Sequence, residues 1–281
     1  MRLATLKDNS VVMITKSGVI NLNQLGFNGS MLGLILAGGN ELERIKSKAS
    51  EITGGEALKP ESLSAPIKNP SKIVGIGLNY SDHANETGLE IPKSPLIFAK
   101  FSSSIIGPAD PIIIPEAVTK KVDYEAELGV IIGKRAKNVL PKDSLDYVFG
   151  YSIINDISAR DIQFGDKQWT RGKSLDTFCP IGPVIVSKDE IHDPQNLEIG
   201  CEVNGEILQQ SNTKNMIFSV AELISELSHS FTFEPGDVIA TGTPGGVGYK
   251  RNPPIYLKRG DIVRTWIKGI GEMINQVDSV K

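Results

Sequence analysis

The chain has 281 residues, 40% of them hydrophobic and 22% charged, which is ordinary for a globular protein with a sizeable core. A formal net charge of −3, with no basic run, argues against nucleic acid as a partner. No segment approaches the ~18 apolar residues of a membrane span, and the start, Met1-Arg2-Leu3-Ala4-Thr5, lacks the apolar run of a secretory signal, so a cytoplasmic location is the default expectation.

Residues 3–20 read as two short strands around Lys16-Ser17-Gly18, and residues 42–49 as a helix. Residues 59–70 hold three prolines and little periodicity. They read as a linker, which sets off a small N-terminal domain over residues 1–65 from a larger one over 66–281. From residue 72 strands and turns dominate. Strands are expected at 72–77, 95–100, 112–114, 126–132, 150–154 and 184–187. Cys179 and Cys201 sit in apolar or strand-like contexts and read as buried free thiols. Asn204-Gly205 between two strand-like runs marks a hairpin. One helix is clear: Ser219 caps it, Glu222 completes a capping box, and Val220, Leu223, Ile224 and Leu227 share a face. The turns Glu234-Pro235-Gly236-Asp237 and Lys258-Arg259-Gly260-Asp261 feed strands at 238–241 and 262–267. The expected fold class is mixed and β-rich (α+β), with antiparallel pairing favoured over βαβ units.

Three familiar sites fail on spacing. Arg171-Gly172-Lys173-Ser174 lacks the earlier glycine of a phosphate loop, because position 167 is Lys167. Gly75-Ile76-Gly77-Leu78-Asn79-Tyr80 has tyrosine where a dinucleotide fingerprint needs its third glycine. Gly150-Tyr151-Ser152 reaches Ile154 where a nucleophile elbow needs glycine.

The chemistry concentrates elsewhere. Residues 122–133 read as a strand, so Glu125 and Glu127 share one face while Tyr124, Ala126, Leu128, Val130 and Ile132 point into apolar packing. Two readings are open: a solvated face with incidental glutamates, or two ligands of a hard divalent cation, which would relieve their repulsion. Asp156 ends an apolar strand, as a helix cap or as a third carboxylate ligand. His83 and Glu86 are three apart, as an exposed helix pair or as a carboxylate that fixes an imidazole tautomer. Lys173 sits among loop formers, where a lone lysine is usually a surface residue. The loop Thr241-Gly242-Thr243-Pro244-Gly245-Gly246 is either a plain turn or a cradle for a carboxylate. His192 and His229 have no such company and read as structural.

Together these pieces resemble the fumarylacetoacetate hydrolase family, most closely its domain-containing protein 2 group. The resemblance runs from about Lys72 to the C-terminus. It rests on Gly77-Leu78-Asn79-Tyr80-Ser81-Asp82-His83, Phe98-Ala99-Lys100-Phe101, Asp123-Tyr124-Glu125-Ala126-Glu127-Leu128, Asn155-Asp156-Ile157-Ser158-Ala159-Arg160-Asp161, Gly172-Lys173-Ser174, Thr177-Phe178-Cys179-Pro180-Ile181-Gly182-Pro183 and Thr241-Gly242-Thr243-Pro244. It implies a β-sandwich roll with a small N-terminal domain, and a homodimer. It implies that Glu125, Glu127 and Asp156 bind Mg²⁺ or Mn²⁺, with Ca²⁺ as a substitute. His83 and Glu86 would be an acid/base dyad on a lid, and Lys173 would contact substrate. Arg160, Gln163 and Thr243 match substrate-pocket positions.

The implied activity is hydrolysis of the C–C bond of an acylpyruvate, or 2,4-dioxo acid, to pyruvate and a carboxylic acid. The metal and Lys173 would stabilise the enolate, His83 would activate water, and no redox cofactor is called for. Oxaloacetate decarboxylation and isomerisation of a dienoate are alternatives on the same site. A metal-stabilised binding protein is the non-enzyme alternative, disfavoured because His83, Glu86 and Lys173 all accompany the three carboxylates.

Overall fold

The computed structural model describes residues 1–281 except 53, 55, 56 and 89. The chain opens with a meander, β1 (Arg2–Leu6), β2 (Val11–Thr15) and β3 (Gly18–Asn21), one strand more than the sequence suggests. Helix α1 (Met31–Ser50) is far longer than the expected 42–49. Ser30 caps it by accepting from the Gly33 N–H, and Met31, Leu34 and Ile35 bury its first half. Gly38 is non-helical (φ 74°) and kinks the helix, and the Gly38-Gly39 pair hides the first half from a periodicity reading. Within the expected linker, β4 (Leu63–Ser64) pairs with β1.

The larger region follows. It holds β5 (Ile73–Gly77), α2 (Ser81–Thr87), β6 (Leu96–Lys100), β7 (Ile105–Ile106), β8 (Ile112–Pro115), β9 (Val122–Asp123), β10 (Ala126–Ile132), β11 (Val148–Asn155) and β12 (Ser158–Ala159). Then come α3 (Arg160–Asp166), α4 (Thr170–Lys173), β13 (Cys179–Ser187), β14 (Glu198–Val203), β15 (Glu206–Asn212), α5 (Val220–Ser230), β16 (Val238–Ala240), β17 (Ile262–Ile267) and β18 (Gly271–Val280).

The strands form an 11-stranded sheet with the path β3-β2-β1-β13-β11-β10-β16-β5-β6, a five-stranded sheet β15-β14-β17-β18-β8, and the short pair β12-β9. Pairing is mostly antiparallel; β16–β5, β13–β7 and β18–β8 are parallel. Leu128, Val130 and Ile153 of the first sheet share one core with Ile199, Val263 and Met273 of the second. Residues 1–65, which composition sets apart, are hydrogen-bonded to residues 66–281 through β1 and β13, with Leu3 opposite Ile185. Their core also takes in Ile131, Phe149 and Ile185. The capping box of α5 and the Asn204-Gly205 hairpin form as the sequence indicates.

The strand expected over 122–133 is broken at Tyr124 and Glu125. Side chains replace ladder partners there. Glu125 N–H donates to Asn155 Oδ1, and Ala126 N–H donates to Gln209 Oε1. The apolar expectation holds, since Tyr124, Ala126, Leu128, Val130 and Ile132 are all core residues.

Edge strand β6 positions part of the site. Its alternation turns Phe98 and Lys100 inwards and leaves Leu96, Ile97 and Ala99 exposed. Phe98 lies over Gly75, where any Cβ would overlap its ring. Gly75→Ala is therefore expected to destabilise the protein by about 1–3 kcal/mol through overpacking. A urea midpoint equal to wild type would refute this.

Candidate active site

The site is built from strand ends and short helices around a cavity of about 70 Å³. Glu125, Glu127, Arg160, Gln163, Lys173, His83 and Thr243 all line it, so seven of the nine residues singled out by sequence meet there. Asp156 lies just behind the wall, and Glu86 reaches the cavity through His83.

Glu125, Glu127 and Asp156 are buried, and each offers an oxygen within 4.8 Å of the others'. β10 brings in Glu127, and the break before it brings in Glu125. Asp156 follows β11, where its N–H donates to the Glu125 carbonyl. Lys173, at the end of α4, bridges two of the three: its Nζ is 2.5 Å from Glu125 Oε2 and 2.7 Å from Asp156 Oδ2. Lys100 Nζ is 2.5 Å from Asp156 Oδ1. Arg160 donates to Asp123 through Nε and to Glu125 through NH2, at 2.8 and 2.6 Å. It also donates to Gln163 Oε1, and its guanidinium lies 4.4 Å from the centre of the Tyr249 ring.

Electrostatics divides the carboxylates. Burial alone would raise Glu125, but Lys173 and Arg160 outweigh it and hold the group at about 2. Glu127 goes the other way. Burial, then Asp156 and Glu125, push it well above the usual carboxylate range, and among the described residues its one hydrogen bond is from the Gly242 N–H. Burial would lower Lys173, yet Asp156 and Glu125 hold it charged and above its usual value. Four buried carboxylates, Asp123, Glu125, Glu127 and Asp156, thus face three buried cations, Lys100, Arg160 and Lys173. An all-oxygen triad with negative charge left over suits a hard divalent cation such as Mg²⁺ or Mn²⁺. Adding one leaves a single positive charge, which an oxo-acid anion complements.

The second half of the site is α2. His83 Nδ1 lies 3.3 Å from Glu86 Oε2, which also accepts the Gly246 N–H at 3.0 Å. Burial raises Glu86, but the His83 and Gly246 hydrogen bonds outweigh it and leave the carboxyl below its usual range. Asp82 ties the helix to the rest of the site by accepting from Ser211 Oγ and the Gly245 N–H. Thr243 donates its hydroxyl to the Ala126 carbonyl and accepts from Gln209 Nε2, so it fixes a strand end beside the cavity.

Sequence reasoning did not single out Lys100, Asp123, Phe98, Trp169 or Tyr249. The alternation of β6 is a signal for Phe98 and Lys100, because it puts a lysine on an inward face. Asp123 gives no periodic signal. It accepts the Gly248 and Tyr249 N–H groups and Arg160, and so joins a distant loop to the triad.

Comparison with known proteins places this geometry. Residues 72–278 match the family described as fumarylacetoacetate (FAA) hydrolase, C-terminal. The chain is 53% identical over 218 residues to the mitochondrial oxaloacetate tautomerase fahd2 of Xenopus laevis, covering 77% of this chain and 68% of that protein. Several solved structures match over both full chains, two of which bear on the chemistry. Fumarylacetoacetate hydrolase from Exiguobacterium antarcticum gives a TM-score of 0.86 at 36% identity. Maleylpyruvate hydrolase from Sphingobium sp. SYK-6, in complex with manganese(II) and pyruvate, gives 0.84 at 29%.

One expectation is overturned. A cytoplasmic location was inferred from the missing leader, but the frog protein and its counterparts in Rattus norvegicus and Homo sapiens are mitochondrial. The matched region omits about a third of the frog protein, so a sequence start is no guide to compartment here. No helix among the described residues is long and apolar enough to cross a membrane. The FAA hydrolase match takes in all nine residues around this cavity, and on that ground the chain belongs to the fumarylacetoacetate hydrolase family of enzymes.

Proposed function

We propose that this protein is a divalent-metal-dependent tautomerase of short 2-oxo dicarboxylates of the oxaloacetate type. One observation carries the reading: 53% identity to a named oxaloacetate tautomerase over a stretch of 218 residues. The site has the chemistry for it. When bound to Glu125, Glu127 and Asp156, Mg²⁺ or Mn²⁺ supplies Lewis-acid polarisation of the substrate's 2-oxo group. Lys173 adds a buried positive charge beside the oxygen that becomes enolic. Glu86 orients His83 through Nδ1, so Nε2 would give a proton to C3 as the enol hydroxyl loses its own to solvent, from which His83 is reprotonated; in reverse Nε2 takes the C3 proton and the oxygen regains one. Phe98, Trp169, Phe164 and Tyr249 give the cavity an aromatic wall.

Hydrolysis of acylpyruvates is the second reading. It is favoured by the maleylpyruvate hydrolase among the structural relatives. The same dyad would then take a proton from water, and the same cation and lysine would hold the enolate left by C–C cleavage. Conversion of oxaloacetate enol to its keto form, followed by ultraviolet absorbance with Mg²⁺ or Mn²⁺, tests the first reading. Pyruvate release from oxaloacetate and from a panel of acylpyruvates tests decarboxylation and hydrolysis. Pyruvate release from an acylpyruvate faster than enol conversion would hand the function to hydrolysis. Binding without turnover would leave a binding protein.

The homodimer belongs to this proposal, and light scattering in solution tests it. So does the lid. Residue 89 lies outside the described residues; among the described residues, Asp82 and Glu86 of α2 bond to glycine N–H groups of the 241–250 loop. Amide exchange in α2 is expected to slow when an oxo acid and metal bind together. Equal exchange with and without them would refute the lid.

A further inference from the structure

Lys100 lies outside the cavity wall, yet it touches two of the site's working parts. It ends β6 and is buried. Its Nζ donates to Asp156 Oδ1 at 2.5 Å and to the backbone carbonyl of Lys173. Two residues earlier, Phe98 sets its ring 5.0 Å from Lys173 Nζ. One strand therefore holds Asp156 through one oxygen and Lys173 at both ends. The other Asp156 oxygen, Oδ2, faces Lys173 Nζ across the site. Neither Phe98 nor Lys100 supplies a ligand or a proton to the proposed reaction.

We propose that Lys100 is a positioning residue that sets the metal preference of the site, by keeping Asp156 a one-oxygen ligand. The inference rests on reading Glu125, Glu127 and Asp156 as the metal site. Lys100 holds Oδ1 away from the cavity, so the cation is left with Oδ2, which Lys173 contacts and which keeps a second lone pair to give. Small cations that demand octahedral coordination accept that arrangement, whereas Ca²⁺ takes more oxygens and readily uses both atoms of a carboxylate. Lys100 thus favours Mg²⁺ and Mn²⁺ over Ca²⁺. Its bond to the Lys173 carbonyl fixes the ammonium in the same stroke.

Geometry and charge make opposite forecasts for removing Lys100. Loss of a nearby positive charge alone would tighten every divalent cation together. Loss of positioning weakens the cation the site was shaped for. Titration calorimetry with Mn²⁺ and with Ca²⁺, on wild type and Lys100→Met, separates them. The expected result is a Mn²⁺ dissociation constant raised roughly 10–100-fold, the usual cost of losing an outer partner of a ligand. Ca²⁺ affinity should fall less, so the preference for Mn²⁺ narrows. Melting curves in chelator check that the variant is folded. Lys100→Gln, which keeps a neutral donor near Oδ1, carries the test if the methionine variant does not fold, and should narrow the preference too. Tighter binding of both cations, or parallel changes that leave the preference intact, would overturn the proposal. Wild type binding neither cation would overturn the metal reading itself and this proposal with it.

Discussion

Glu127→Gln is expected to remove almost all activity while making the metal-free protein more stable. Glu127 is buried, is crowded by Asp156 and Glu125, and among the described residues accepts only the Gly242 N–H. Lewis-acid stabilisation is worth several kcal/mol, so loss of one ligand should lower turnover on the order of 10³-fold. The stability change has the opposite sign because the ionised carboxylate is poorly compensated without a cation. Its folded pKa is raised above the unfolded value, so its stabilising share is full below the ordinary glutamate range. That share is lost as pH rises through the folded value. Metal-free wild type should therefore weaken as pH rises to neutrality. The glutamine variant lacks that loss and should melt higher in chelator at neutral pH. Glu125→Gln should do the reverse. Glu125 is held at about 2 by Lys173 and Arg160, so it stabilises the fold above the ordinary glutamate pKa and loses that share only as pH falls towards 2. Removing its charge takes one of two carboxylate partners from each of two buried cations, Lys173 and Arg160. Thermal melts of both variants in chelator, with turnover in added Mn²⁺, decide the matter. A Glu127→Gln protein that is fully active, or less stable than wild type without metal, would contradict the account.

His83→Ala should lower oxaloacetate tautomerisation roughly 10²–10⁴-fold, the usual share of general acid–base catalysis. The protein should keep its metal affinity, because His83 holds none of the triad. Glu86→Gln should fall between, since it keeps the bulk but loses the charge that orients Nδ1. If hydrolysis is the reaction, acylpyruvate cleavage should fall by a similar factor, because water attack needs the same base. Any decarboxylation of oxaloacetate should fall less, since its developing charge is met by Lys173 and the cation. Measuring all three reactions at one Mg²⁺ concentration distinguishes them. Unchanged tautomerisation in His83→Ala would remove the dyad from the mechanism.

Local chemistry legible in the sequence survives intact. The Ser219–Glu222 capping box, the Asn204-Gly205 turn and the alternating apolar residues from Tyr124 to Ile132 each depend on neighbours a few positions away. Glu125 on a strand face, Asp156 at the end of an apolar run and Lys173 among loop formers were likewise visible, and they do meet in space. What the tertiary structure decided is how those charges are balanced. Lys173 bridges Glu125 and Asp156, Lys100 backs Asp156 across 56 positions of sequence, and Arg160 joins Glu125 to Asp123. Periodicity cannot report such pairs, because each partner comes from a different strand or helix. The break at Tyr124 and Glu125 has the same origin. Asn155 and Gln209 satisfy backbone groups that a local reading gives to a continuous ladder. The kink in α1 was hidden because Gly38 and Gly39 carry no side chain for a pattern to show. The sequence by itself determined which residues could do chemistry, since their type and spacing are local facts. The packing of two sheets decided which carboxylate is compensated and which is left for a cation, since burial and charge pairing exist only once distant strands are side by side.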